Sequence, residues 1–255
     1  MRIALAALAI AVLVLSGCTS EGAPEPLEER SVAIYLARDG KVAPVRRTLK
    51  VTESESSPIA EALGALIEGP TADERGDGLS TDVTLDGLAT SVDDDIVTAS
   101  ATLADGVVTI EPPDEGELSD LGMAQVVHTL SQFPDVREVR VGDGKAVTTR
   151  AFEEQTPQIV IESPLPEDTV TSPIRLRGTA NVFEATVSIE VRDETGKVVW
   201  EGFTTATSGT GTRGTFDTTV PLPDLEGPME IVAFEASAED GSPLHVAKVP
   251  VVLSR

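Results

Sequence analysis

Two histidines, one cysteine and several acidic runs are the residues of this 255-residue chain whose types could do chemistry. His128 and His245 could hold zinc or carry a proton, but no HxxxH, HExxH or HxH spacing joins either to a second ligand. Both read as structural residues. Asp93, Asp94 and Asp95 offer oxygens for calcium, yet a calcium loop needs alternating ligands and a turn glycine, and strand formers follow Asp95 instead. The run reads as an acidic turn before a strand. Glu111, Asp114, Glu115 and Glu117 stand just before a helical pattern, where negative charge complements the positive end of the helix dipole. The stretch "TSGTGTRGT" lacks a P-loop lysine and opens no helix, and no GxSxG elbow occurs. The expectation is no catalytic residue, no metal site and no cofactor.

Cys18 is the only cysteine, so it can neither close an internal disulfide nor share a metal with a second thiol. Its neighbours explain it. Arg2 precedes an apolar run from Ile3 to Leu15, too short to span a bilayer of about 30 Å comfortably, and the small residues Ser16 and Gly17 follow. That layout is a secretory signal, with an uncut membrane anchor as the alternative. The four residues Leu15-Ser16-Gly17-Cys18 resemble the lipobox of bacterial lipoproteins. The resemblance implies a diacylglyceryl thioether on Cys18, cleavage before it and, in some organisms, acylation of the new N-terminus. Two acyl chains anchor stably because each buried methylene contributes about 0.8 kcal/mol.

Acidic residues outnumber basic ones by 43 to 19, a formal net charge of −24. Phosphate binding needs clustered Lys and Arg, and Arg46-Arg47 and Arg137/Arg140 are isolated within strand-like runs, so nucleic acid is excluded as a partner. The acid is spread along the chain and reads as solvated surface. Length suits two domains, and Val, Ile, Leu and Ala supply core despite few aromatics.

The chain divides into a signal peptide over 1–17, a lipidated cysteine and Pro/Glu/Ser-rich tether over 18–30, a mixed α+β domain over 31–150, a linker over 151–158 and an all-β domain over 159–255. In the first domain strand-like "SVAIYLA" and "VREVRVG" accompany two helical patterns. "SPIAEALGALIEG" has Ser57 placed to cap, Pro58 at the first helical position and Gly69-Pro70 to stop it. "LSDLGMAQVVHTLSQFP" puts Leu118, Leu121, Val126, Leu130 and Phe133 on one face and ends at Pro134. Asp105-Gly106 and Asp143-Gly144 signal tight hairpins. Helices on one face of a mainly antiparallel sheet are expected. The segment "AFEEQTPQ" interrupts both periods, hence the linker. Beyond it about seven short strand-like runs, punctuated by Gly, Pro and Asp, argue for an immunoglobulin-like sandwich without a cysteine pair.

Residues 159–253 resemble the Gmad-type immunoglobulin-like domain of bacterial spore germination proteins, through Ser163-Pro164, Ser172-Pro173, Gly178-Thr179-Ala180 and Val182-Phe183-Glu184-Ala185, followed in order by "GTRGTF", "FEASAEDG" and "KVPVVL". The first domain resembles the GerMN domain through "IYLARDGKVAPVRR", "IAEALGALIEGPTADE" and above all "TLSQFPDVREVRVGDGK". The resemblance implies an extracytoplasmic binding or assembly module rather than a reaction. It carries no implication that the organism makes spores.

Phe183-Glu184-Ala185 and Phe234-Glu235-Ala236 repeat a tripeptide. If each lies in a strand with its Phe in the core, each Glu faces out. Glu184 and Glu235 are then either solvated neighbours of core phenylalanines or a shared partner surface. The expected protein is a non-enzymatic lipoprotein held to the membrane through Cys18, on the outer face of the cytoplasmic membrane, binding an envelope protein or wall component. The alternative is an enzyme on cell-wall material, which needs two carboxylates roughly 5 to 9.5 Å apart in a cleft.

Overall fold

Apolar residues at both parities of "SVAIYLA" make a strand buried on both faces, and in the computed structural model Val32, Ile34 and Leu36 are as buried as Ala33, Tyr35 and Ala37. The structure describes residues 28–51, 58–83, 89–92, 95–98, 100–111, 118–222 and 225–255. Cys18, Ser57, Asp93, Asp94, Asp114, Glu115 and Glu117 lie outside them, as do the signal-peptide residues and all but the last three residues of the tether.

Strand β1 (Glu28–Arg38) pairs antiparallel with β2 (Lys41–Val51) across Asp39-Gly40, whose positive φ values of 51° and 73° match the twist of a two-residue hairpin. Helix α1 (Pro58–Glu68) buries Ile59, Ala62, Leu63 and Leu66 at helical spacing and ends at Gly69, where φ is +73°. Helix α2 (Ala72–Gly76) starts from a capping box of Thr71 and Glu74. Strands β3 (Ala89–Val92) and β4 (Asp95–Thr98) form a hairpin, and β5 (Ser100–Ala104) and β6 (Val107–Glu111) form another across Asp105-Gly106. Helix α3 (Asp120–Leu130), capped by the Ser119 hydroxyl, carries the chain over to β7 (Glu138–Val141), which lies parallel to β6. The strands of this domain thus form separate small sheets, one with a parallel pair, rather than one mainly antiparallel sheet. The turn after β7 is centred on Gly142-Asp143, one residue before the Asp143-Gly144 pair, because Gly142 takes the positive φ of 55°.

The edge of β1 that faces away from β2 is closed by side chains of α3 and the turn after it. Gln132 exchanges two hydrogen bonds with the Ala33 backbone, accepting from its N–H at 3.0 Å and donating to its carbonyl at 2.6 Å. At Tyr35 the N–H donates to the Thr129 hydroxyl at 3.0 Å, and the carbonyl accepts from the Gln125 amide at 3.1 Å. At Ala37 the partner is the Ser80 backbone. Gln125 and Thr129 stand one turn apart on α3 and Gln132 lies in the turn just past its end, so a polar stripe of the helix and its exit does the work of a neighbouring strand.

The C-terminal domain is a sandwich. Strands β8 (Ile159–Ser163), β10 (Ile174–Ala180) and β13 (Gly214–Val220) form one sheet in the order β13-β10-β8. Strands β9 (Thr169–Thr171), β11 (Thr186–Asp193), β12 (Val198–Thr205), β14 (Gly227–Ala236) and β15 (Pro243–Ser254) form the other, ordered β12-β11-β14-β15-β9. Inward residues of both sheets, among them Leu176, Val187, Ile189, Ile231 and Leu253, make its core. Gly178 is required where β10 meets β8, since a Cβ there would lie 2.1 Å from the Val160 carbonyl oxygen. The α+β domain followed by an immunoglobulin-like sandwich is the fold that the sequence patterns predict.

Candidate functional site

The segment 151–158, read from its broken periodicity as a linker, is folded. Thr149–Gln155 form a 3-10 helix whose Phe152 is buried in the first domain's core, beside Val160 and Leu165 contributed by the second. His128 closes this seam from α3. Its imidazole is buried, lies 5.1 Å from the Tyr35 ring between centroids, and sits 3.0 Å from the Thr156 hydroxyl through Nε2. Because that hydroxyl donates to the Phe152 carbonyl at 2.7 Å, it accepts from His128, which fixes the proton on Nε2. Burial, reinforced by the Arg213 charge, holds the imidazole down to about 4, so it is neutral at pH 7.

From the second domain Arg213 reaches back across the seam. It grips both oxygens of Glu153 at 2.9 and 3.0 Å, donates to the Pro157 carbonyl at 2.6 Å and to the Thr179 hydroxyl at 3.2 Å. Asn181 adds a bond to Glu153 at 2.8 Å. The Glu153 carboxyl is held below the usual range because these donors, chiefly Arg213, outweigh its desolvation. On the first domain's side Lys41 donates to the Glu154 carbonyl. The two domains are therefore joined through paired charge and shared apolar packing. Brief Glu-specific protease treatment is expected to leave the 151–158 segment of the wild type uncut, while Arg213→Ala opens it to cleavage at Glu153 and Glu154. Equal cutting rates in the two proteins would show that Arg213 does not hold the segment.

Two clefts flank the seam. One, of about 580 Å³, runs between β2 and the β15 segment around Val246 to Pro250. The other, of about 550 Å³, is lined by Tyr35, Gln132, Thr149, Glu162, Asp168 and Arg177 among others. Of the carboxylates that line them, those of Glu74 and Asp168 are committed. Glu74 is gripped by Arg47 at 2.7 Å through both oxygens, which lowers its pKa, and Asp168 accepts from the Leu165 N–H at 2.8 Å and faces Arg46 at 3.8 Å. Glu162 has its carboxyl pushed up by desolvation, with Arg177 opposing. The second cleft thus holds one uncommitted carboxyl, Glu162, and the first holds those of Asp39, Asp77 and Glu167. Among the described residues no group of three or more His, Cys, Asp or Glu is placed to hold a metal.

The Phe-Glu-Ala repeat departs from its expected geometry. Phe183–Ala185 is a 3-10 turn and not a strand, with φ of 53° at Glu184 and 56° at Ala185, so the two-residue alternation does not apply. Phe183 points outward, 56% exposed, instead of into the core. Glu235, on β14, comes back to this turn: its carboxylate accepts from the Phe183 N–H at 3.3 Å and lies 3.7 Å from His245 Nε2. Glu235 is thus tied to the turn that carries Glu184. Phe234, next to it, pairs in register with Ser188 of β11, which pairs in turn with Phe203 of β12. Directly opposed residues share a face, so Phe203 and Phe234 stand on the outer face of the five-stranded sheet. Phe203 is 71% exposed, and Leu244 and Val246 of β15 are exposed as well. Sequence reasoning finds Glu184 and Glu235 but misses Phe203, because a lone aromatic in a strand normally marks the core.

Residues 33–148 match the family described as sporulation and spore germination, and residues 158–242 match the immunoglobulin-like domain of bacterial spore germination. Among solved structures the chain is similar to the tandem GerMN domains of the sporulation protein GerM from Bacillus subtilis, with 26% identity over 51% of this chain and 43% of that one and a TM-score of 0.34. It is also similar to CopC from Methylosinus trichosporium OB3b, with 22% identity over 37% of this chain and 92% of that one and a TM-score of 0.26. The chain therefore spans less than half of the GerM structure, and both superpositions are too partial to say anything of function. No curated protein matches the chain.

Proposed function

Because the chain joins a GerMN-like domain to a Gmad-type immunoglobulin-like domain, we propose that it is a non-enzymatic accessory lipoprotein of the cell envelope, anchored through Cys18 outside the cytoplasmic membrane, whose rigid two-domain body binds a protein partner. The observation that carries this reading is the outer sheet face of the second domain. Phe203 is exposed there in register with Phe234, and Phe183 is exposed on the turn that leads into β11, where Glu235 binds its N–H. Exposed aromatic residues and carboxylates thus occur together in this sheet region, as they do at interfaces. Their exposure has no role in the core. The Arg213 clamp supports the same reading, since a fixed seam presents the face in one orientation.

Two measurements test it. Cys18→Ala is expected to abolish labelling by a fatty-acid probe, because the thioether has no other thiol to form from; equal labelling would remove the anchor. A photo-crosslinking phenylalanine analogue at position 203 of the full chain in cells is expected to give a discrete adduct that the same analogue at the exposed Glu239 does not. Adducts at neither position, or equally at both, would overturn the docking face.

A further inference from the structure

The long edge strands of this protein are not treated alike. The outward edge of β1 is closed by Gln125, Thr129, Gln132 and Ser80. The free edge of β2 carries Pro44 and the charges of Arg46 and Arg47. On β13 the exposed positions are Thr215, Asp217 and Thr219, all polar. The first half of β15 borders the cleft against β2. Strand β12 has none of these protections. It pairs with β11 on one side only, contains no proline and a single charge, Glu201, and exposes Val198 at 39% and Phe203 at 71%. A bulge at Val199 interrupts its start, and the regular edge that remains, Trp200–Thr205, is a template for another strand.

We propose that the open edge of β12 takes up an extended segment of a basic partner protein as an added strand, with Phe203 packing under its apolar side chains. This rests on the docking face proposed above and names the partner's chemistry. The sign of the partner follows from the surroundings. Glu201 stands exposed on β12, in register with Glu190, whose charge Arg192 already meets, and Glu184 stands on the turn leading into β11, in a chain of net charge −24. The nearest cations are already engaged or peripheral: Arg192 is bound to Glu190 at 2.7 Å, and Lys197 sits before the strand begins. A strand with lysine or arginine on alternate positions meets this rim with opposite charge, and its backbone completes the ladder. A second copy brings the same glutamates and the same net charge to the interface, so pairing of β12 with itself sets like charges opposite one another.

The test is residue-resolved hydrogen exchange on the full chain, with and without a short peptide of alternating lysine and valine, and with an alternating glutamate and valine peptide as the control. The basic peptide is expected to slow exchange of alternate amides within Trp200–Thr205 on the order of tenfold, the effect fading as salt rises, and the acidic peptide to change nothing. Phe203→Ser, at an exposed position, is expected to leave exchange elsewhere unaltered and to weaken the protection. Absent protection, or protection equal with both peptides, would overturn the added strand. Protection that appears with rising protein concentration alone would assign the edge to a second copy and overturn it too. If the crosslink at position 203 forms while the β12 amides stay unprotected, the docking face stands and only the strand addition falls.

Discussion

Lowering the pH from 7 to 4 is expected to weaken the folded state by about 3 kcal/mol through one side chain, His128. In the fold its imidazole is held down to about 4 by burial and by the Arg213 charge, against an ordinary value of 6.5. As pH falls below 6.5 the unfolded chain takes up a proton that the folded chain refuses, so stability is lost with each decade, at about 1.4 kcal/mol per pH unit, until the folded value is reached. Glu153 acts in the same direction but later, since its lowered carboxyl contributes stability that disappears only as pH falls through its own folded value. Glu162, with its carboxyl raised, works the other way. Both carboxylates are common to wild type and a His128→Gln variant, so the difference between the two reports the imidazole together with its coupling to Glu153. Urea unfolding across this range should show a steep loss in the wild type and a much flatter one in the variant. Identical slopes would mean that His128 is not the group responsible.

Gln125→Leu is expected to cost a comparable amount, about 1–3 kcal/mol. The glutamine is fully buried and serves two elements at once, donating to the Tyr35 carbonyl at 3.1 Å and accepting from the Asp82 N–H at 2.8 Å. Leucine fills the space but leaves the buried Tyr35 carbonyl without a donor, at about 1–3 kcal/mol, and also takes the acceptor from the N–H of the exposed Asp82. Denaturant midpoints measure the loss. A variant as stable as the wild type would show that water or a backbone shift replaces both bonds.

These two residues also show what a sequence yields and what it withholds. The order of elements is legible because local signals agree: Pro58 and Gly69 bound α1, Asp105-Gly106 closes a hairpin, and regularly spaced strand runs announce the sandwich. Asp39-Gly40 is the same hairpin signal and is equally readable. The stripe Gln125, Thr129, Gln132 is visible as a spacing, but polar residues on a helix read as its wet face, and only the position of β1 turns them inward. The 151–158 segment misleads because a 3-10 helix has neither the strand period nor the helix period, leaving Phe152 as the one apolar clue. Arg213 lies 60 residues from Glu153, beyond any local pattern. The Phe-Glu-Ala repeat misleads for a different reason: the alternation rule presumes a strand, and backbone with positive φ at Glu184 and Ala185 abolishes it.

The closing of β1 by α3 also sets an order in time. The β1-β2 hairpin is complete once residue 51 has been made, yet Gln125, Thr129 and Gln132 follow their backbone partners in the chain by 90 to 99 residues. A chain that emerges from its N-terminus therefore carries a bare apolar strand edge through that whole interval, and contacts so distant in sequence form slowly because the intervening loop must first be closed. Along β1 the vulnerable species is the half-made molecule, not the finished one. Its hazard is mispairing along β1 with a neighbouring chain, and it ends only when α3 docks.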